Sequence, residues 1–346
     1  MLLTIRFVML CAKIAFIVFL LALIYQADIK ADVAISEKGF DDTLLEEGVQ
    51  LPGWFKLSFL DINEDIEEAK ESGKKGLMLY FGMSKCPYCK ALIENNFGRK
   101  DIAKYTQKNF DVVAIDVKGN RSVKTSAGKT ITEQKFSIIN NAHFTPTVIF
   151  YNHKGKEVHR LVGYYAAYRF QAALEYVADA HYENESFKNY LARGGLQEQS
   201  GENEINYRSF SMAKPFVLGR KTIAAQRPLL VIFEKEKCHA CDVLHEGVLN
   251  KKSIIEFLTE IDVVQLNISH SSPVITPDEK RISARKWAED LNVFYTPTLI
   301  FYDELGEEVL RLGSVAHFNR LNNVVQFIKT RAYKHYNNYA EWTRNQ

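Results

Sequence analysis

The sequence predicts an α/β chain made of two tandem copies of one domain, each with a sheet flanked by helices. Three observations carry this. The apolar runs Leu77-Met-Leu-Tyr-Phe81 and Leu229-Leu-Val-Ile-Phe233 each lead into a Cys-x-x-Cys pair and then a segment of helical spacing. A shift of 152 residues lays Cys86 and Cys89 on Cys238 and Cys241, with Phe81 on Phe233 and Leu92 on Leu244. A shift of 151 lays Thr145-Pro146-Thr147 on Thr296-Pro297-Thr298, then Ile149-Phe150-Tyr151 on Ile300-Phe301-Tyr302 and Gly155 on Gly306. The length of 346 residues accommodates two domains and the apolar content two cores.

In chain order, residues 1–30 carry Arg6 and Lys13 ahead of the apolar run Ile14 to Ile24, which is short for a bilayer span. Export is expected, and the segment reads equally as a cleaved signal peptide or an uncleaved membrane anchor. Residues 31–50 read as a tether. The first domain, 51–185, opens with an edge strand expected over Trp54 to Leu60. A helix follows from Asp61, its N-cap, with Ile62, Ile66 and Ala69 on one face and a stop near Gly73. The run before Cys86 is apolar on both faces and so belongs at the centre of a sheet. The cysteine helix is expected to stop at Gly98, a short helix to cover Asp101 to Phe110, and Val112 to Ile115 to form a second buried strand. Ala127-Gly128 marks a small hairpin. A helix, the strand Val148 to Tyr151, a turn at Lys154-Gly155, a strand through Val158 to Val162 and a helix over Tyr165 to Ala180 complete the copy. Tyr164, Tyr165, Tyr168 and Phe170 read as packing residues. Residues 186–205 form a polar linker and 206–346 the second domain.

Lys and Arg at 44 against Asp and Glu at 42 give no electrostatic footprint for nucleic acid. Of the five cysteines, four fall in Cys-x-x-Cys pairs, so none is left for a structural disulfide; Cys11 reads as a small hydrophobe. Cys86 and Cys238 begin helices, where unpaired amide N–H groups stabilise a thiolate. Cys86, expected to be the more exposed of its pair, would attack a disulfide and Cys89 would resolve the mixed disulfide. Four thiolates also suit zinc, but each pair is separated from the other by a whole domain and has its own Thr-Pro partner.

Strand, Cys-x-x-Cys helix and then, 60 and 59 residues after the first cysteine, the proline of Thr-Pro-Thr opening a strand: this order resembles the thioredoxin superfamily over nearly everything beyond residue 50. In finer detail the chain is similar to exported bacterial thioredoxin-like proteins, including the type linked to sulfur oxidation (SoxW-like). The resemblance implies two tandem thioredoxin-like domains, each a central mixed β-sheet flanked by helices. It implies that Pro146 and Pro297 are cis beside the cysteines, and that the backbone of Thr145 or Thr296 pairs with a bound substrate chain. The chain departs from the common pattern in having Lys85-Cys-Pro-Tyr-Cys, the dipeptide familiar from glutaredoxins, and Lys237-Cys-His-Ala-Cys. The buried acid that thioredoxins place six residues before the first cysteine is Tyr80 in one copy and Ile232 in the other.

The expected function is therefore that of an exported thiol–disulfide oxidoreductase with catalytic Cys86, Cys89, Cys238 and Cys241. Thr145, Pro146, Thr296, Pro297, Tyr88 and His239 are expected on the substrate side. No cofactor or metal is required, since the cysteines carry two electrons. Expected partners are protein disulfides or dithiols and a membrane redox donor. Asn120-Arg-Ser and Asn184-Glu-Ser match glycosylation acceptors, but the ending Thr343-Arg-Asn-Gln346 is no ER-retention signal, and a periplasm is expected. The competing reading is a thioredoxin-fold peptide-binding or chaperone module in which one or both pairs are not catalytic. For His239, an imidazolium stabilising the Cys238 thiolate competes with a solvated helix-start residue. The former predicts a lower Cys238 pKa in the wild type than in His239→Ala; superimposable thiolate titrations reject it.

Overall fold

Each half is built on the strand that precedes its cysteines. The computed structural model describes residues 40–194, 205 and 207–346. The N-terminal apolar segment, Cys11, residues 31–39 of the expected tether and residues 195–204 of the expected linker lie outside the described residues. In the first half the elements are α1 (Ile62–Glu71), β1 (Gly76–Gly82), α2 (Pro87–Ala91), α3 (Lys100–Asn109), β2 (Phe110–Asp116), β3 (Ser122–Lys124), β4 (Thr130–Thr132), α4 (Glu133–Ile139), β5 (Thr147–Tyr151), β6 (Glu157–Val162), α5 (Ala167–Ala178) and α6 (Phe187–Gly194). The second half runs β7 (Phe216–Val217), β8 (Leu229–Glu234), α7 (His239–Glu246), α8 (Lys252–Glu260), β9 (Asp262–Asn267), β10 (Pro273–Ile275), β11 (Arg281–Ser283), α9 (Ala284–Asp290), β12 (Thr298–Tyr302), β13 (Glu308–Leu312), α10 (Phe318–Lys329) and α11 (Tyr339–Arg344).

The two main sheets have one topology. The first is ordered β2-β1-β5-β6 and the second β9-β8-β12-β13. In each the inner strand that precedes the cysteines pairs in parallel with the following strand and antiparallel with the strand after Thr-Pro. Even the bulge recurs, at Phe150/Tyr151 and at Phe301/Tyr302. Every residue of β1 and β8 is buried, as a strand apolar on both faces requires. The mixed sheets with helices around them are the fold expected from the sequence.

Local chemistry sets the boundaries. The Asp61 carboxylate accepts the amides of Asn63 and Glu64 at the start of α1, and the helix ends before Gly73, whose φ of +71° lies in the left-handed region that favours glycine. The cysteine helix continues from α2 through a π-helical stretch, Leu92–Phe97, to Gly98.

Three expectations need correction. Residues 54–60 form no strand: Pro52-Gly53 makes a turn closed by the Phe55 amide on the Pro52 carbonyl, and Trp54 and Phe55 pack their rings on Phe97. Residues 42–50, placed in the tether, are pinned to the loop before Cys86, where the amides of Leu45 and Val49 donate to the carbonyls of Lys85 and Ser84. Residues 187–194, placed in the linker, form α6, because Phe187 inserts between the rings of His159 and Tyr176. Tyr164, Tyr165 and Phe170 are buried as expected, whereas Tyr168 is exposed.

Residues 42–346 form one compact unit in which the halves exchange side chains. Phe144 of the first half belongs to the core of the second, against Tyr339. Tyr165 stacks on Phe294, meets Tyr295 edge-on and donates its hydroxyl to the Gly313 carbonyl at 2.6 Å. Among the described residues no helix is long and apolar enough to cross a membrane.

The His159 ring lies among Phe150, Tyr176 and Phe187, its Nε2 buried without a hydrogen bond among the described residues. Burial lowers its pKa from 6.5 to about 3. Between those values the unfolded chain binds the proton that the folded chain refuses, so this ring's contribution is complete above pH 6.5 and is lost as pH falls toward 3. Urea unfolding at neutral and acid pH is expected to show a stability loss of up to about 1.4 kcal/mol per pH unit from this group. The loss attributable to it should vanish in His159→Phe, and an unchanged slope would contradict the account.

Candidate active site: two disulfides at helix starts

Both Cys-x-x-Cys pairs stand at helix N-termini as disulfides, with Cα–Cα separations of 5.1 Å for Cys86–Cys89 and 5.2 Å for Cys238–Cys241. The first cysteine of each pair is the N-cap. The Cys89 amide donates to Cys86 Sγ at 3.0 Å and the Cys241 amide to Cys238 Sγ at 3.1 Å. In the reduced protein this amide donor favours the anionic sulfur, because it would otherwise be an unpaired group of the first turn.

The Thr-Pro loops close over these sulfurs. Cys86 Sγ lies 3.2 Å from Thr145 Oγ1 and 3.6 Å from the Thr145 carbonyl; for Cys238 and Thr296 the distances are 3.5 and 3.6 Å. The Thr145–Pro146 and Thr296–Pro297 peptide bonds are cis. Thr147 and Thr298 donate their hydroxyls to the Phe144 and Tyr295 carbonyls, both at 2.6 Å, and so brace the turns.

The sulfurs are less open than the sequence suggests. Cys86 is 1% and Cys89 0% exposed, Cys238 7% and Cys241 4%, so Cys86 is not set apart from its partner by exposure. The cover over the first site comes from the second half. The Arg320 guanidinium donates to the Thr145 carbonyl at 2.7 Å and lies 3.4 Å from the centre of the Tyr88 ring. Tyr88 is consequently not a substrate-facing ring: it is buried, donates its hydroxyl to Asp42 at 3.0 Å and accepts the His317 amide at 2.9 Å. The Asp42 carboxylate also accepts the amides of Asn319 and Arg320, at 3.0 and 2.8 Å, which start α10. Burial raises the Tyr88 phenol pKa and lowers that of Arg320, whose guanidinium nonetheless stays charged. His239, by contrast, is exposed at the start of α7.

Beneath the cysteine helices the copies differ. In the first, Tyr80 folds its ring over Gly82, where any Cβ would collide with it. In the second, Ile232 replaces the tyrosine and Glu234 the glycine. The Glu234 carboxylate, wholly buried, pairs with His245 Nε2 at 2.6 Å and accepts from Gln265 at 3.0 Å, while Arg208 donates to His245 Nδ1 at 3.1 Å. His245 lies one turn beyond Cys241 on the buried face of α7.

Sequence reasoning missed Asp42, Arg320, Glu234 and His245. One signal was available for Arg320: the 151-residue shift that aligns the prolines also lays Arg169 on it. Asp42 gives none, because the α10 amides it accepts are nearly 280 residues away. Removing the carboxylate in Asp42→Ala leaves the α10 amides and Tyr88 unpaired, a cost of about 1–3 kcal/mol. In the reduced chain this should raise alkylation of Cys86 relative to Cys238 by roughly tenfold or more; an unchanged ratio would show that Asp42 does not hold the cover.

The sequence matches the model of the thioredoxin-like domain twice, over residues 62–178 and 220–329, together about two thirds of the chain. No curated protein matches it. Among solved structures it is similar to a thioredoxin-fold protein from Helicobacter pylori, at 20% identity and TM-score 0.33 over 37% of this chain and 83% of that one. It is also similar to a thioredoxin from Thermus thermophilus, at 20% and 0.26 over 30% and 75%, and to a disulphide isomerase from Xylella fastidiosa Temecula1, at 18% and 0.22 over 39% and 88%. The chain thus belongs to the thioredoxin-like domain family and carries that domain in two copies.

Proposed function

We propose that this protein is an exported thiol–disulfide oxidoreductase of the bacterial thioredoxin-like, SoxW-like kind, working in the periplasm either free or tethered by its N-terminal segment. The observation that carries the reading is the repeated geometry in which the first sulfur of each pair accepts the amide of the second cysteine and lies against the Thr-Pro loop. Cys86 and Cys238 are the nucleophiles. As thiolates they attack a disulfide and expel one thiolate; Cys89 or Cys241, having lost its proton, then attacks the mixed disulfide and releases the second. Two electrons pass to the substrate and the pair is left oxidised. A membrane dithiol donor would restore it, and no cofactor takes part. Substrates are protein disulfides or dithiols or small sulfur compounds.

The near-complete burial of Cys86 favours a second reading, a peptide-binding or chaperone module with thiols that do not turn over. Replacing both Cys86 and Cys238 by Ser separates the two. Loss of model-disulfide reduction, by at least 10²-fold, is expected of the enzyme, whereas unchanged client binding in the same variant with no wild-type activity to lose supports the module. A Cys89→Ala, Cys241→Ala chain should retain its substrates as mixed disulfides identifiable by mass spectrometry.

A further inference from the structure

The first site opens into a cavity of about 600 Å³ whose walls come from both halves, with Cys86, Pro87 and Thr145 on one side and Arg320 and Arg344 on the other. Lys118 stands at its rim; both Lys118 and Arg344 are exposed, and among the described residues neither makes an ion pair. The acid on the wall, Asp42, is already saturated by amides and by Tyr88. Lys118, Arg320 and Arg344 against that single carboxylate leave the lining cationic around a sulfur. The Thr145 carbonyl, the backbone group that the resemblance to thioredoxins assigns to an extended substrate chain, already accepts from Arg320 at 2.7 Å. The volume is that of a small-molecule site.

We propose that the first disulfide exchanges with low-molecular-weight thiols and disulfides that carry carboxylates, and not with polypeptides. The proposal rests on the redox reading above and assigns that site its substrate class. In the reducing direction the thiolate of one small thiol attacks Cys86 Sγ; the Cys86–Cys89 bond breaks and Cys89 leaves as a thiolate that takes up a proton. A second small thiolate attacks the outer sulfur of the mixed disulfide, forming the small disulfide and freeing the Cys86 thiolate. Two thiols are oxidised, one cystine is reduced, and the reverse sequence oxidises the site.

The test uses the full chain with Cys238→Ser and Cys241→Ser, so that only the first pair reports, and follows its reduction by mass after alkylation. The probes are 3-mercaptopropionate, 2-mercaptoethanol and cysteamine. At low salt the rate ratio of the acidic to the cationic thiol is expected to fall on the order of tenfold in Lys118→Gln, Arg344→Gln and to fall similarly in ~1 M salt, since screened charges no longer steer. A flexible acidic polypeptide bearing one cysteine is expected to react at least tenfold more slowly than 3-mercaptopropionate. Reduction by all three small thiols with a ratio indifferent to the substitutions and to salt, or equal reduction by the polypeptide, overturns the inference while sparing the redox reading. Failure of every thiol, 2-mercaptoethanol included, overturns both.

Discussion

A helix begins with amide donors that its own carbonyls never reach, and three such beginnings organise the two sites. At Cys86 the donor is met by sulfur, at Cys238 by sulfur again, and at the start of α10 by the Asp42 carboxylate and the Tyr88 hydroxyl. The third is unlike the others, because its acceptors come from the opposite end of the chain. Their grip holds Arg320 against the Thr145 carbonyl and the Tyr88 ring. Removing the pairing at α10 would leave a buried guanidinium and a buried carboxylate facing each other without their neutral partners.

The halves meet through matched residues. Arg169 of the first half lies over Tyr295, at 4.7 Å, and Arg320 of the second over Phe144, at 5.4 Å; Phe144 and Tyr295 are each the residue before their Thr-Pro. Phe187 of α6 packs on Phe294, and Tyr339 of α11 packs on Phe144. Each half therefore seats its C-terminal part on the proline loop of the other. The match is incomplete: the first loop's carbonyl is hydrogen-bonded by the arginine opposite, and the space that a Cβ at Gly163 would take is filled by Ser314 and Arg320.

What the sequence disclosed follows from locality. The repeat, the cysteine and proline pairs, the buried strands, the Asp61 cap and the Gly73 and Gly128 turns depend on residues a few positions apart, so their spacing revealed them. Trp54 to Leu60 has the composition of a strand, yet the Pro52-Gly53 turn sends it across the sheet edge. Tyr88 looked like a surface ring because nothing nearby in sequence covers it; its lid arrives from Arg320. Phe187 sat in a stretch read as polar linker, and only the pocket beside His159 makes it a core residue. Across the repeat, the 151-residue shift flags Arg320 through Arg169 but not the Asp42 carboxylate that accepts its amide.

The layer under the two redox helices bears on the history of the molecule. One copy fills it with a phenol lying on a glycine, the other with a carboxylate held by an imidazole and an amide. Exchanging Tyr80 and Gly82 for Ile232 and Glu234 one at a time passes through a form with either a void or a clash and an orphaned charge, because His245, Gln265 and Arg208 must change with them. The duplicates have ceased to be spares: neither can be restored by copying the other, and each now drifts under its own constraints.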